Sequence, residues 1–597
     1  MNELLATIPP FLPVAVAALL AVLLPRHAGH AVGMLAALFV LGQSLVMPAT
    51  TPATVQFLGF ETVPIFVDQF TRLYGVVIGF LAAAAVAYSW GSDAPRVQTG
   101  FALAYVSSTL GMVFAGDWLT LIFFWELMAV TSTLLVWHYG GEAVRAGYRY
   151  AIAHGIGGTL LLGAVTLHYA RVGSFLFEAS TGIAGSLGTL PSVEALPALL
   201  AALGIGVNCA FIGLHTWLPD TYPRPHVAAS VFLSVFTTKT AVYAMYRAFP
   251  EGGLWLAYLG GAMAVYGVFF ALLQYDPRRL LSYHIQAQVG YMLAGIGLAS
   301  LGGDLGNFAV AGGVAHAFNN VLYKSLLFMA VGVVIYRTGI NDIRKLGGLW
   351  KVMPVTFVVY VIGAASITAV PGFTGFISKG MVIDAAHEVS NVPLLLGEDL
   401  LWWLLIIGGV GTFMSFIKLG WYIFFHNAPE IRPKDSTVGQ TVGMVAVAGL
   451  CVYFGIFYGS LFELLPFAET WETSPYSTGH LIEGFALLVA GFVGFFTLKG
   501  PLARISHLPD MERVINPAVF YTGRGFVWGV TELWAAVDRV VMQTAATLKQ
   551  IGTHPEQAVR RVAGISEDAD VYLRADIGRS VIFLTLLTAA ALAALLL

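Results

Sequence analysis

Charge is what this sequence most lacks. Asp, Glu, Lys and Arg make up 11% of the 597 residues, against roughly 25% in soluble globular domains, so they cannot build a water-solvated surface of ordinary extent. The formal net charge is only -3, which excludes the basic footprint of a nucleic-acid binder and an acidic tail. Cysteine is nearly absent too. Cys209 and Cys451 lie in apolar runs, without the paired spacing that a metal or iron–sulfur site requires. No cofactor, no metal and no nucleic-acid partner is therefore expected. Alternation of apolar and polar residues is also missing, which excludes a transmembrane β-barrel.

What is present is apolar sequence, 58% by residue type, in runs of the roughly 20 residues that cross a 30 Å hydrocarbon core as helix. The first run, near 8–25, has no positive segment before it and no small-residue cleavage site after it, and reads as a retained span. Such runs recur to 579–597 and predict an all-α, polytopic transmembrane helical bundle of about 14 to 17 helices, multi-pass in a cell membrane and solvated by lipid. The reading divides the chain into N-terminal helices (1–99), a core (100–425), additional helices (426–499), a polar stretch (500–578) and a terminal span (579–597). Within the polar stretch Val527, Val530, Trp534, Val537, Val541 and Leu548 share one helical face, the pattern of a helix lying at the interface. Lys and Arg are scattered over several short loops, so the sequence gives no inside/outside orientation.

The informative residues are ionisable groups inside apolar runs, where each costs at least roughly 2.5–3.5 kcal/mol. Glu126 is central in GDWLTLIFFWELMAVTSTLLVW, Lys239 in VAASVFLSVFTTKTAVYAMYR and Lys324 in VAGGVAHAFNNVLYKSLLFMAVGVV. Each is either a proton-carrying group or a buried pair that only fixes packing. Lys418 lies nearer the end of its run, where its stem can also snorkel to the interface. His316 is two helical turns before Lys324 and faces a similar direction. An imidazole both accepts and donates a proton, and a desolvated ammonium gives one up more readily, so the two can form a relay. His215 and His154 can extend it through water, or serve only as satisfied hydrogen-bonding groups. Pro219 in GLHTWLPDTYPRP and Pro371 in TAVPGFTGFISKG either break membrane helices, as at transporter ion sites, or simply end spans. Lys379 follows the second, with Ser378 beside it.

In order along the chain, FFWELM, LHTWLPD, TTKTAVYAMYR, DPRRLLSYHIQAQVGYM, AHAFNNVLYKSLLFMAVG, GGLWKVMP and PGFTGFISK resemble the antiporter-like membrane subunits shared by respiratory complex I, membrane-bound hydrogenases and Mrp-type cation/proton antiporters. The resemblance covers roughly residues 100–425 and, through TTKTAVYA, RRLLSYHI and GFISKGMV, points to the D-type subunit of Mrp antiporters. It implies two inverted five-helix repeats, each with a broken helix and a half-channel. It also implies that Glu126 modulates a neighbouring lysine, that Lys239 and Lys324 carry protons together with His316, and that Lys418 is a distal gate. The polar tail resembles the lateral helix with which longer members brace neighbouring subunits.

One departure stands out. The family usually has a lysine where this chain has Asn208, and Asn cannot titrate. Asn320 likewise stands where a second histidine is frequent. The expected function is therefore proton movement coupled to movement of a monovalent cation, Na+, in a complex with other membrane subunits. The alternatives are the pumping arm of a quinone- or hydrogen-linked oxidoreductase, whose redox chemistry would reside in partner subunits, and a conduction-poor scaffold.

Overall fold

The computed structural model describes residues 8–49, 54–177, 182–426, 431–467, 474–505, 508–566 and 577–596. It divides into two compact units, Met1–Met511 and Glu512–Leu597.

The first unit is a helical bundle. Its helices are α1 (Phe11–Leu23), α2 (Arg26–Val46), α3 (Gln69–Gly91), α4 (Arg96–Val113), α5 (Trp118–Trp137) and α6 (Glu142–Val172). They continue with α7 (Leu196–Asn208), α8 (Trp217–Thr221), α9 (Val227–Leu233), α10 (Phe236–Ala248), α11 (Leu254–Leu273), α12 (Pro277–Gly297) and α13 (Gly303–Thr338). The last of this unit are α14 (Pro354–Ile367), α15 (Thr374–His387), α16 (Leu400–Gly420), α17 (Val438–Ile456), α18 (Tyr458–Phe462) and α19 (Thr478–Arg504). Two short hairpins join helices, Val55–Phe57 with Phe60–Thr62 and Pro393–Leu395 with Glu398–Asp399. The second unit holds α20 (Glu512–Thr553), α21 (Pro555–Ala563) and α22 (Ile577–Leu596).

Among the described residues ten helices are long and apolar enough to cross a membrane, and four shorter apolar ones accompany them. Polar N-caps start several of the helices cleanly. Asp68 caps α3 in a reciprocal pair with Thr71, Asp117 caps α5, Asp276 caps α12 ahead of Pro277, and Thr437 caps α17 with Gln440. Each supplies an acceptor to N–H groups that the helix itself leaves without partners.

Burial grades across the bundle. The apolar centres of the spans Val227–Ala248 and Gly303–Thr338 are wholly buried, whereas that of the Thr478–Leu502 span is largely exposed on the isolated chain. Helices approach most closely where small residues meet: a Cβ at Gly260 would lie 2.4 Å from the Gly290 carbonyl oxygen, and one at Gly204 would lie 2.7 Å from that of Gly157. Without a hydrophobic driving force between helices in lipid, such contact is a main source of their association.

Three interruptions position the site. Helix α7 stops at Asn208 and α8 starts at Trp217, so the first break lies ahead of Pro219, which is accommodated in the first turn of α8. The second break runs from Thr368 to Phe373 and contains Pro371. The third, at Ser234–Val235, splits the run around Lys239 into α9 and α10. The sequence reading took that run as one continuous helix, because neither glycine nor proline marks the interruption.

Candidate functional site

The first two breaks have the same backbone. Both helices end in a residue of left-handed conformation, Ala210 at φ 57° and Ala369 at φ 63°. In the first, Phe211 N–H reaches back to Gly206 O (3.0 Å) and Ala210 N–H to Val207 O (3.1 Å); in the second, Val370 N–H reaches Ala365 O (2.9 Å) and Ala369 N–H reaches Ser366 O (3.2 Å). This is the paired cap that normally uses glycine. A second turn follows in each, closed by Leu214 N–H on Phe211 O and by Phe373 N–H on Val370 O, with Gly213 at φ 90° and Gly372 at φ 91°. In this register Asn208 corresponds to Ile367, His215 to Thr374 and Asp220 to Lys379.

The breaks free carbonyls, and long polar side chains take them up. Lys379, on α15, donates its Nζ to Ile367 O at 2.9 Å and lies 4.8 Å from the centre of the Tyr291 ring. Lys239 does the same at the third break, donating to Ser234 O and to Thr238 Oγ1, each at 3.1 Å. At the first break Gln286 Nε2 donates to Ala210 O (3.2 Å) and Trp217 Nε1 to Val207 O (3.0 Å).

Between these lies Lys324, fully buried on α13, whose Nζ has no hydrogen-bond partner among the described residues. It sits 5.9 Å from the centre of the Phe416 ring, and the His284 ring lies 4.8 Å from the same phenyl. The charges of Lys239 and Lys379 both reach Lys324. Among the described residues no carboxylate pairs with any of these lysines. A buried cation without a counter-charge is costly unless it is hydrated or loses its proton.

His316 is the junction of the second half. Its Nδ1 meets Ser378 Oγ at 3.0 Å, and its Nε2 meets Gln288 Oε1 at 3.1 Å and Tyr323 OH at 3.2 Å. Asn320 donates to Tyr323 OH at 3.1 Å. His316 therefore contacts the serine next to Lys379, and its other nitrogen meets Gln288 and Tyr323. The two members of the expected relay, His316 and Lys324, lie on one helix but share no hydrogen bond among the described residues.

Glu126 is half-buried, with Oε1 against Gly158 of α6, where an added Cβ would stand 1.5 Å away. It forms no ion pair with Lys239, whose ammonium is turned to the α9–α10 break. Asn208 is buried and accepts at Oδ1 from His154 Nδ1, 2.7 Å away. Lys418 is held at the end of α11: its Nζ donates to Leu272 O (2.6 Å) and Gln274 O (2.7 Å), over the Tyr275 ring. Neither snorkelling nor contact with the other lysines describes it.

His215 has a partner that sequence reasoning did not connect with it. Its Nε2 lies 3.3 Å from Asp510 Oδ2, and the same carboxylate accepts from Tyr266 OH (2.5 Å) and from Tyr283 OH. Asp510 lies in the connection after α19. Burial alone would push its carboxyl up; hydrogen bonding and charge from His215, with the two tyrosine hydroxyls, outweigh that and hold it below the usual carboxylate range. His284, Gln286 and Gln288 were missed as well. All three are fully buried on α12, and the signal was there in SYHIQAQVGYM as polar residues on a helix with no exposed face.

Comparison with known proteins follows this geometry. A family profile described as NADH:quinone oxidoreductase/Mrp antiporter, TM, matches residues 115–415. The A-type subunit of the Na(+)/H(+) antiporter of Alkalihalophilus pseudofirmus is 26% identical over 423 residues, 66% of this chain and 52% of the relative. The A1-type subunit of the Na(+)/H(+) antiporter of Staphylococcus epidermidis is 27% identical over 443 residues, 69% of this chain and 55% of the relative. The chain thus spans about half the length of the curated relatives it matches, and these carry A-type names where the sequence motifs pointed to the D type. In fold the chain is similar to one in the Mrp complex from Dietzia sp. DQ12-45-1b (TM-score 0.74, 23% identity, covering 97% of this chain and 66% of that one). It is also similar to one in respiratory complex I from Thermus thermophilus (TM-score 0.65, 20% identity, covering 81% and 98%). With half its length matched by the profile and the helices to cross a membrane many times, the chain belongs to the NADH:quinone oxidoreductase/Mrp antiporter transmembrane family.

Proposed function

We propose that the chain is a proton-conducting membrane subunit of a monovalent cation/proton antiporter complex of the plasma membrane, with Na+ as the counter-moving ion and other membrane subunits as partners. The observation that carries this reading is the row of buried lysines, Lys239, Lys324 and Lys379, without carboxylate partners among the described residues and linked by interrupted helices and polar side chains. Unit charges several ångströms apart interact by about 1–4 kcal/mol depending on local polarity. A proton on one lysine therefore changes occupancy of the next by between about fivefold and nearly a thousandfold. Lys379 exchanges with His316 through Ser378, and His316 with Lys324 through Tyr323 and intervening water. Lys239 receives the proton on the first-half side, and Glu126, the carboxylate of α5 packed against Gly158, acts on it through its field alone.

The distal gate of this reading is Lys379. Lys418, expected in that role, serves as a cationic cap on the carbonyls of α11. The D-type assignment gives way to the broader one, an antiporter-like subunit, because curated relatives sharing this core carry A-type names.

The test is cation-dependent proton flux in everted vesicles from an antiporter-deficient host expressing the complete gene cluster. Sodium should dissipate the pH gradient in wild type, and Lys324→Ala should abolish the response at matched membrane abundance. Retained transport in Lys324→Ala would make the chain a scaffold. A second reading, the pumping arm of a redox-driven complex, draws support from a chain of the membrane-bound sulfane sulfur reductase, an archaeal respiratory membrane complex (TM-score 0.68, 21% identity), whose whole length this chain covers. That reading predicts no sodium response in wild type and co-purification of cysteine-rich redox subunits.

A further inference from the structure

We infer that Asp510 is a positioning residue for proton transfer in the first half: it orients His215 so that this imidazole stands in for the titratable group that Asn208 cannot provide. The inference rests on the proton-conducting reading above.

Asp510 lies outside the stretch matched by the family profile, residues 115–415, yet it is 6% exposed and its partner His215 is fully buried. The carboxylate is saturated. It faces His215 from the first break, Tyr266 from α11 and Tyr283 from α12, and it accepts from Met511 N–H at 2.6 Å. A further charged group at this site among the described residues is Arg279, hydrogen-bonded to Tyr283.

The chemistry follows from which nitrogen is engaged. An ionised carboxylate only accepts, so Nε2 of His215 must carry the hydrogen that points at Asp510. That fixes the tautomer and leaves Nδ1 with the lone pair. Nδ1 is buried and has no hydrogen-bond partner among the described residues. A carboxylate behind one imidazole nitrogen stabilises the imidazolium formed when the other takes a proton, the same division of labour as in a hydrolase triad. Asn208 offers no such site, since its carbonyl is engaged by His154.

The position suits a relay. His215 lies in the break whose register-mate is Thr374, on the segment that holds Lys379. Tyr283 is followed directly by His284, whose ring and Lys324 approach the same Phe416 phenyl. Helix α12 thus carries both the hydroxyl that grips Asp510 and an imidazole of the central row.

The experiment uses the complete complex in everted vesicles, with flux recorded across pH for wild type, Asp510→Asn, Asp510→Glu, Tyr266→Phe and Lys324→Ala at matched abundance. Partners that orient metal-binding imidazoles are worth 10- to 100-fold; at the lower end of that scale, Asp510→Asn should lower flux about tenfold and move the pH profile to the acid side, because the imidazolium loses its counter-charge. Asp510→Glu should restore most of the rate. Tyr266→Phe frees negative charge on the carboxylate and should move the profile the opposite way. Wild-type flux and profile in Asp510→Asn overturn the inference, as does an equal loss in Asn and Glu variants with no shift of profile. Should Asp510→Asn accumulate poorly, Tyr266→Phe decides, and an unshifted profile there overturns the inference. If Lys324→Ala conducts normally, the proton-conducting reading itself fails; if it is dead while Asp510→Asn is normal, only the role of Asp510 does.

Discussion

The first two helix breaks share a backbone and differ in almost everything attached to it. Both end in an alanine of positive φ, at a cost of roughly 1–2 kcal/mol each, and both recover part of that through the same pair of carbonyl caps. The second break then places a lysine on its freed carbonyl, Lys379 on Ile367 O. The first has neutral groups there, Gln286 and Trp217. At the register-mate of Lys379 it carries Asp220, an acid engaged by Arg149 (2.6 Å) and Arg224 (2.9 Å). A helix break is thus a geometry for exposing carbonyls, and the side chain that meets them decides whether the site holds a mobile charge.

The sharpest way to break this contrast is to remove the charge from the second half. Lys379→Ala should lower flux about 100-fold at normal abundance, in the range for loss of a proton-transferring group; vesicle flux within about twofold of wild type would erase the difference drawn between the breaks. Lys418→Ala is the control for a buried lysine with a structural task. Hydrogen bonds from a charged donor are worth about 1.5–3 kcal/mol each, so this variant should lose thermal stability in detergent while the protein that does assemble keeps its flux. Gly158→Ala comes next. Its methyl group displaces the Glu126 carboxylate, and flux should fall about threefold, as for a group acting through its field alone. Asn208→Ala should change flux by less than about twofold, since it removes no titrating group, while costing about 1 kcal/mol for the His154 hydrogen bond. A large loss of flux in Asn208→Ala would mean that the first break conducts through that residue after all.

Much of the architecture was legible because lipid imposes a simple rule: the apolar runs announce the spans, and Glu126, Lys239, Lys324 and Lys418 stand out as charges within them, whereas Lys379 was noted only as the residue following the break at Pro371. Direction and partnership were not legible. Spacing put His316 and Lys324 on one helix face, but whether they touch depends on Tyr323 and Gln288, and Gln288 comes from a different helix. Lys418 looked like its fellow lysines until the end of α11 supplied two carbonyls for it. The interruption at Ser234–Val235 had no local marker, since tertiary packing and the Lys239 ammonium offset the lost backbone bonds. Asp510 was read only as one charge in a polar tail, because nothing local says that it is drawn into a buried site with His215.

The matched alanine caps also bear on how such a molecule can change. A break whose backbone closes on its own paired cap, leaving the remaining carbonyls to whichever side chain reaches them, behaves as a socket into which different side chains can be fitted without refolding the helices around it. Exchange of a single side chain then suffices to silence one break or to give it another charge, with the geometry held constant and the chemistry as the variable.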